Sequence, residues 1–410
     1  MFGYVGIPTV ATYVLLVAFA ASLCLNFWLL KFRASVVSDS RLVDQPTPKF
    51  KPLELPSGWW TDTSNFQLER RAVFSKTWIC ISHRSRFVTA GDYVSYDFAG
   101  FRIFLILGKD GIIRAFHNVC RHRAFPVTPK AAGSVSVLGC RYHGWCYDTK
   151  GKLTKAPKFD HLPDFDKDRN SLFEIHCKLD EQGFIHVNLS GNTEVGNDKP
   201  ACPDKIGKPA KVTSRSHFLY SLEHKAMFNW KVAVIGHSQG GRLNLRALME
   251  PTCRPSLRVP SSLGMTPIGQ LFFFPLSWVY TKSGSPFWYH ITCSPDSAQQ
   301  TTLRCDVYSS RKSDTSWPEG SMKERLDNQI KLSIIDHESF LEKLAGQDHR
   351  FDEIAIMKKV AEAMRIHRDR ELAEEREIRP ASVQQCKSAS YAEAEEICQA
   401  VEAGSRSLAW

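Results

Sequence analysis

The sequence predicts an α+β chain: an N-terminal transmembrane helix, an antiparallel β domain, then a second antiparallel sheet with helices. Three observations lead there. Residues 2–30 carry no charged side chain. Between about residues 92 and 189, short apolar runs alternate with Asp-Gly and similar turn signals, the pattern of hairpins. Beyond residue 271, further strand-like runs give way to long segments without turn residues, which read as helices. Of the 410 residues, 43% are hydrophobic and 23% charged, a globular composition that excludes a disordered chain. A single long apolar run excludes a polytopic membrane protein. The 12 cysteines are too dilute for a disulfide-stapled scaffold. The net charge of +10 is spread without a basic block, so nucleic acid is not an expected partner.

The N-terminal element spans residues 8–30. At roughly 1.5 Å per residue, the stretch from residue 10 to 30 covers a ~30 Å hydrocarbon core. Tyr13 and Trp28 sit near its ends, where amphipathic rings favour the interface. No Lys or Arg precedes the run, whereas Lys31, Arg33 and Arg41 follow it. That asymmetry favours an uncleaved single-pass anchor over a signal peptide, with the main body cytoplasmic and its thiols reduced. Residues 31–58, with Pro46, Pro48, Pro52 and Pro56, read as a tether. The first β domain occupies 59–195. Its strands at 93–98 and 101–107 meet at Ala99-Gly100, and Lys109-Asp110-Gly111 turns into a strand at 112–116. Residues 196–212, rich in Lys, Pro, Gly and Asp, read as a boundary. The second body, 213–350, holds strands at 271–280, 287–293 and 301–308 and a helix at 321–345. A C-terminal helical extension, 351–410, has a helix at 351–378 stopped by Pro380.

The most specific motif is Cys120-Arg121-His122, a gap of 17 residues, then Cys140-Arg141-Tyr142-His143. Two thiolates and two imidazoles arrive as two mixed pairs. Such a set fits zinc, but zinc fingers pair Cys with Cys and His with His. Mixed pairs suit a [2Fe–2S] rhomb held end-on, with Cys120 and Cys140 on one iron and His122 and His143 on the other. Replacing two thiolates by neutral imidazoles removes negative charge and raises the potential. Phe272–Phe274, Trp278, Phe287, Trp288 and Tyr289 are candidates for an apolar substrate wall, about half of them expected to be core.

The two loops closely resemble the cluster-binding loops of Rieske proteins. The likeness extends to Trp60-Thr61-Asp62, Leu68-Glu69, Trp78, Gly91-Asp92-Tyr93-Val94 and Asn229-Trp230-Lys231-Val232. These resemble the α-subunits of Rieske-type non-haem iron oxygenases, in the choline-monooxygenase-like branch and a fungal-looking version. The resemblance implies an antiparallel Rieske [2Fe–2S] domain followed by a helix-grip-like sheet plus helices. It implies electrons from a separate NAD(P)H-dependent reductase or other donor, a mononuclear Fe(II) held by two His and one carboxylate, and a homotrimer. The implied reaction is O₂-dependent hydroxylation or demethylation of a small molecule; by analogy with anchored fungal oxygenases, an apolar secondary-metabolite intermediate is expected.

The likeness breaks after Val232. Counting forward places Gln239 at the bridging carboxylate and Leu243 and Leu248 at the two iron histidines, and leucine has no lone pair to give. The third ligand falls on Asp336, with Glu338 next. Three readings of 233–265 stand: a translation artefact, a pseudo-oxygenase that keeps only the cluster, or an iron site rebuilt from His224, His237 or His337. Gly236-His237-Ser238-Gln239-Gly240 also satisfies G-x-S-x-G, which would make Ser238 a hydrolase nucleophile if a strand led into it and a helix out.

Overall fold

The computed structural model describes residues 55–191 except 163, then 195, 200, 204–206, 212, 215–238, 268–282, 285–310, 319–345, 355–380, 394 and 396. The expected anchor and nearly all of the tether lie outside them. Among the described residues, no helix is long and apolar enough to cross a membrane.

Helix α1 (Thr63–Glu69) starts where the Asp62 carboxylate accepts the Ser64 N–H at 2.7 Å, an N-cap that satisfies an otherwise orphaned donor. It runs on into a π-helical turn at Arg70–Phe74. Ten strands follow: β1 (Ile79–His83), β2 (Asp92–Phe98), β3 (Phe101–Leu107), β4 (Ile113–His117), β5 (Ala132–Ser134), β6 (Leu138–Gly139), β7 (Cys146–Tyr147), β8 (Leu153–Lys155), β9 (Glu174–Leu179) and β10 (Phe184–Asn188). They form a seven-stranded antiparallel sheet ordered β1-β10-β9-β4-β3-β2-β5 and a small sheet β6-β7-β8. The hairpins fall where the turn residues put them. Ala99 and Gly100 both take positive φ, 50° and 71°, between β2 and β3. At Gly151 (φ 79°), a Cβ would come within 2.4 Å of the Phe116 ring, so that turn needs glycine for conformation and for space.

The second body is a six-stranded antiparallel sheet ordered β11-β13-β14-β15-β16-β12. Its strands are β11 (Asp204–Ile206), β12 (His217–Ala226), β13 (Ile268–Phe273), β14 (Ser277–Lys282), β15 (Phe287–Pro295) and β16 (Thr301–Ser309). Helix α2 (Trp230–Ser238) packs on β15 and on α3 (Glu319–Ala345), and α3 also packs on β12. Helix α4 (Ala355–Ala373) returns to α1 and its π-helical turn. Three expectations are corrected. The run 271–280 is two strands, because Pro275 has no N–H to give a ladder and Phe274–Leu276 turns instead. The boundary 196–212 contributes β11, paired with β13. The last helix stops at Ala373, and Glu374–Pro380 continues as a non-helical strap. Near the end of that helix, Glu371 makes a paired contact with Arg71, at 2.6 and 3.1 Å, across 300 residues of sequence.

The second sheet divides by residue parity, since alternate side chains leave opposite faces. Phe273, Val279, Trp288 and Tyr308 join Cys80 and Phe184 of the first domain in one buried cluster. On that same face Asp306, 2% exposed, takes Arg86 at 2.7 Å and Arg304 at 3.0 Å. Arg86 comes from the first domain, so an ion-pair triad crosses the seam. Phe272, Trp278, Tyr280, Tyr289, Ile291 and Val307 occupy the other face. Of the aromatic candidates, Phe273 and Trp288 are therefore domain-seam core.

Candidate functional site: paired cluster loops

The four predicted ligands come together. The first loop follows β4, and the second joins β6 to β7. Each is built the same way. The Cys120 N–H donates to the Phe125 carbonyl (2.8 Å), and the Ala124 N–H to the Cys120 carbonyl (2.9 Å). In the second loop, Cys140 N–H donates to Trp145 O (2.8 Å) and Gly144 N–H to Cys140 O (3.0 Å). The fourth residue after each cysteine is left-handed: Ala124 at φ 54° and Gly144 at φ 71°. This turn points the Cys and His of each loop to the same side.

Cys120, Cys140 and His122 are buried, while His143 is half-buried. The His122 and His143 ring centroids are 4.5 Å apart. Both cysteines are free thiols. The two sulfurs share a hydrogen bond. That bond, and then burial, raise the Cys120 thiol; the same bond, aided by the backbone N–H groups of Tyr142 and His143, lowers Cys140 to about 6. The Tyr147 hydroxyl lies 3.2 Å from the Cys120 sulfur and accepts the Arg121 N–H at 3.1 Å. Burial, then the nearby Cys120, push the Tyr147 pKa well up, so it keeps its proton as a donor to sulfur. The ring of His122 stacks on Trp145 at 5.0 Å and 8°. His143 instead lies against Tyr142 (4.0 Å), which with Phe125 forms an exposed aromatic rim. One imidazole is thus walled in and the other faces outward.

Among the described residues, no three His, Cys, Asp or Glu side chains converge on a single ion. Two thiols side by side, two imidazoles side by side and backbone N–H groups aimed at sulfur fit a [2Fe–2S] cluster. Bound there, it supplies one-electron transfer.

The second metal implied by the resemblance does not fit the described residues. Asp336 stands on the exposed face of α3, and His337 beside it is the buried one, its Nδ1 2.6 Å from the Ser333 carbonyl. Glu338 accepts the Met227 N–H at 2.8 Å. His224 is held by Asp327 at 2.7 Å, tying β12 to α3. The positions of Gln239, Leu243 and Leu248 lie outside the described residues, as does the side chain of His237. The Ser238 reading is corrected: residues 230–238 are helix, so no strand leads into the serine, and the neighbouring sheet is antiparallel.

Sequence reasoning missed what holds α2. Glu69 and Lys231, each 1% exposed, form a fully buried pair, and the Trp230 indole N–H donates to Glu69 at 2.7 Å. Lys231 sits 4.2 Å over the Trp59 ring, and the Asn229 amide donates to the carbonyls of Trp60 and Ala298. An Asn-Trp-Lys run at a helix start carries this signal only when Glu69 is known to be opposite.

Residues 77–166 match the Rieske [2Fe-2S] domain family. The chain is 31% identical over 181 residues to the carnitine monooxygenase oxygenase subunit of Acinetobacter pittii, covering 44% of this chain and 48% of that protein. It is 30% identical over 185 residues to the glycine betaine monooxygenase oxygenase subunit of Chromohalobacter salexigens, covering 44% and 40%. The matched part is thus about half the length of these relatives or less. The fold is similar to the apo crystal structure of the quaternary ammonium Rieske monooxygenase CntA, with TM-score 0.58, 23% identity and coverage of 76% of this chain and 94% of that one. The chain carries a Rieske [2Fe–2S] domain and is homologous to the oxygenase α-subunits of Rieske non-haem iron oxygenases.

Proposed function

We propose that this protein is the oxygenase component of a Rieske-type monooxygenase, which takes electrons from a separate NAD(P)H-dependent reductase and uses them with O₂ to hydroxylate or demethylate a small molecule. The single observation that carries the reading is the pair of matched loops that bring Cys120 and Cys140, and His122 and His143, together. The half-buried His143 within an aromatic rim supports electron entry and exit on that side. The face of the second sheet with Phe272, Trp278, Tyr280 and Tyr289 supports an aromatic substrate wall. Such a wall suits an apolar biosynthetic intermediate, and by cation–π attraction it also suits the quaternary ammonium compounds named for the relatives. The apolar run 8–30 supports single-pass anchoring with the main body in the cytoplasm. Homotrimeric assembly belongs to the same reading.

A second reading, a Rieske electron-transfer protein without the mononuclear iron, is favoured by Leu243 and Leu248 and by the exposed Asp336. Iron and acid-labile sulfide analysis of anaerobically purified protein separates the two. An iron beyond the two of the cluster, with O₂ uptake coupled to product, supports the oxygenase. Cluster iron alone, with no substrate-coupled O₂ uptake from either substrate class, sinks it in favour of the electron carrier. Alkaline carbonate extraction of the full chain tests the anchor: release into the soluble fraction would remove it from the proposal.

A further inference from the structure

A cavity of about 500 Å³ opens behind the first cluster loop, where the π-helical turn, the ends of β3 and β4 and the C-terminal strap meet. Three guanidinium groups line it, from Arg70, Arg71 and Arg379, against the single carboxylate of Glu377. Arg71 is satisfied by Glu371 at 2.6 Å, and Glu377 spends its charge on Arg379 at 3.0 Å and Arg71 at 3.7 Å. Arg70 is left over. It donates to the Ala99 carbonyl at 2.6 Å and the Gln67 side chain at 2.7 Å, both neutral, and among the described residues it forms no ion pair. Asp97, the acid that favours its charge, contacts Arg102 instead, at 3.8 Å. Burial, then Arg71 and Arg379, disfavour the Arg70 charge. A cation so placed gains from an anion entering the cavity.

The remaining walls select the rest of the ligand. Phe101 and Phe173 are both half-buried, and each already has a guanidinium over its face, Arg70 at 4.9 Å and Arg121 at 3.8 Å. His117 also lines the cavity, with an imidazole that burial keeps neutral, its pKa lowered to about 4. The geometry points to this cavity as a binding site for a small aromatic carboxylate, its acid group on Arg70 and Arg379 and its ring against Phe101 and Phe173. The site is separate from the substrate wall on the second sheet. Val119 lines it and directly precedes Cys120, so a bound anion disfavours the extra electron of a reduced cluster and lowers its potential.

The test uses the full chain with its cluster assembled, titrated with 2-naphthoate and with neutral 2-naphthalenemethanol by calorimetry, with the cluster potential measured alongside. The expected result is saturable binding of the carboxylate at one site per chain, little binding of the alcohol, and a lower potential when the carboxylate is bound. Arg70→Gln and Arg379→Gln should each weaken binding roughly tenfold or more, as loss of a charge-assisted bond implies. Arg365→Gln, on the exposed side of α4, should leave it unchanged. Arg379 is largely exposed, so its variant keeps the test intact if Arg70→Gln fails to fold. Equal binding of acid and alcohol, no saturation at millimolar carboxylate, or wild-type affinity in Arg379→Gln would overturn the assignment.

Discussion

At Cys120 a single hydroxyl sets part of the electronic environment. Tyr147 donates to the cysteine sulfur at 3.2 Å, and a donor at sulfur stabilises the more negative, reduced cluster. Tyr147→Phe should therefore assemble the cluster but lower its midpoint potential, read by spectroelectrochemistry; an unchanged potential would assign Tyr147 a packing role only. Ala124 holds the same left-handed corner that glycine holds in the second loop. A left-handed alanine costs about 1–2 kcal/mol, and glycine's extra chain entropy recovers only part of that. Ala124→Gly should stabilise the domain by on the order of 0.5 kcal/mol in urea unfolding. A loss of stability would show that the Ala124 methyl group makes a favourable contact there.

The element most dependent on one interaction is α2. Its first turn is tied to α1 by the buried Glu69–Lys231 pair and by Trp230. Removing one member strands the other charge away from water, a cost of about 3–5 kcal/mol. Lys231→Met should lower urea stability by that order, whereas the double change Glu69→Gln with Lys231→Met should recover much of it. Equal losses in the two proteins would show that the pair acts through packing. The strands were legible because their turns are marked: Ala99-Gly100 and Asp110-Gly111 each end a run where expected. The extra turn at Pro275 and strand β11 were not, since apolar run length says nothing about where a ladder partner ends.

At the scale of the whole molecule, the two domains are joined by buried charge. Around Asp306, burial opposes ionisation, but Arg304 and Arg86 overcome it and hold the carboxyl well below 3.8. Its contribution is therefore present above pH 3.8 and lost as pH falls further. His83 and His290 lie at the same seam, with pKa values lowered by burial from 6.5 to about 4. They bind protons more readily once unfolded, so their contribution is full above pH 6.5 and lost as pH falls toward 4. Urea midpoints should fall in two stages, first between pH 6.5 and 4 and then below 3.8. Asp306→Asn leaves two guanidiniums facing each other and should cost about 3–5 kcal/mol at neutral pH. A flat midpoint from pH 7 to 4 would mean that these imidazoles are not buried neutral in solution.

The sequence by itself picked out the two Cys-His pairs that the fold brings together, the two antiparallel bodies, and the break after Val232 in the pattern it resembles. Those depend on local spacing: a Cys and a His on one short loop must reach the same side, and a leucine can never ligate. The tertiary structure decided which aromatic residues face the domain seam and which lie on the opposite face of the second sheet, that His337 is buried on α3 while its neighbour Asp336 is exposed, and that Glu371 belongs to Arg71. It also decided that the residues leading into Ser238, 230–238, are helix. Each of these depends on which distant residue lies opposite, through strand parity, helix rotation or a partner hundreds of residues away, and none of that is written in neighbouring positions of the chain.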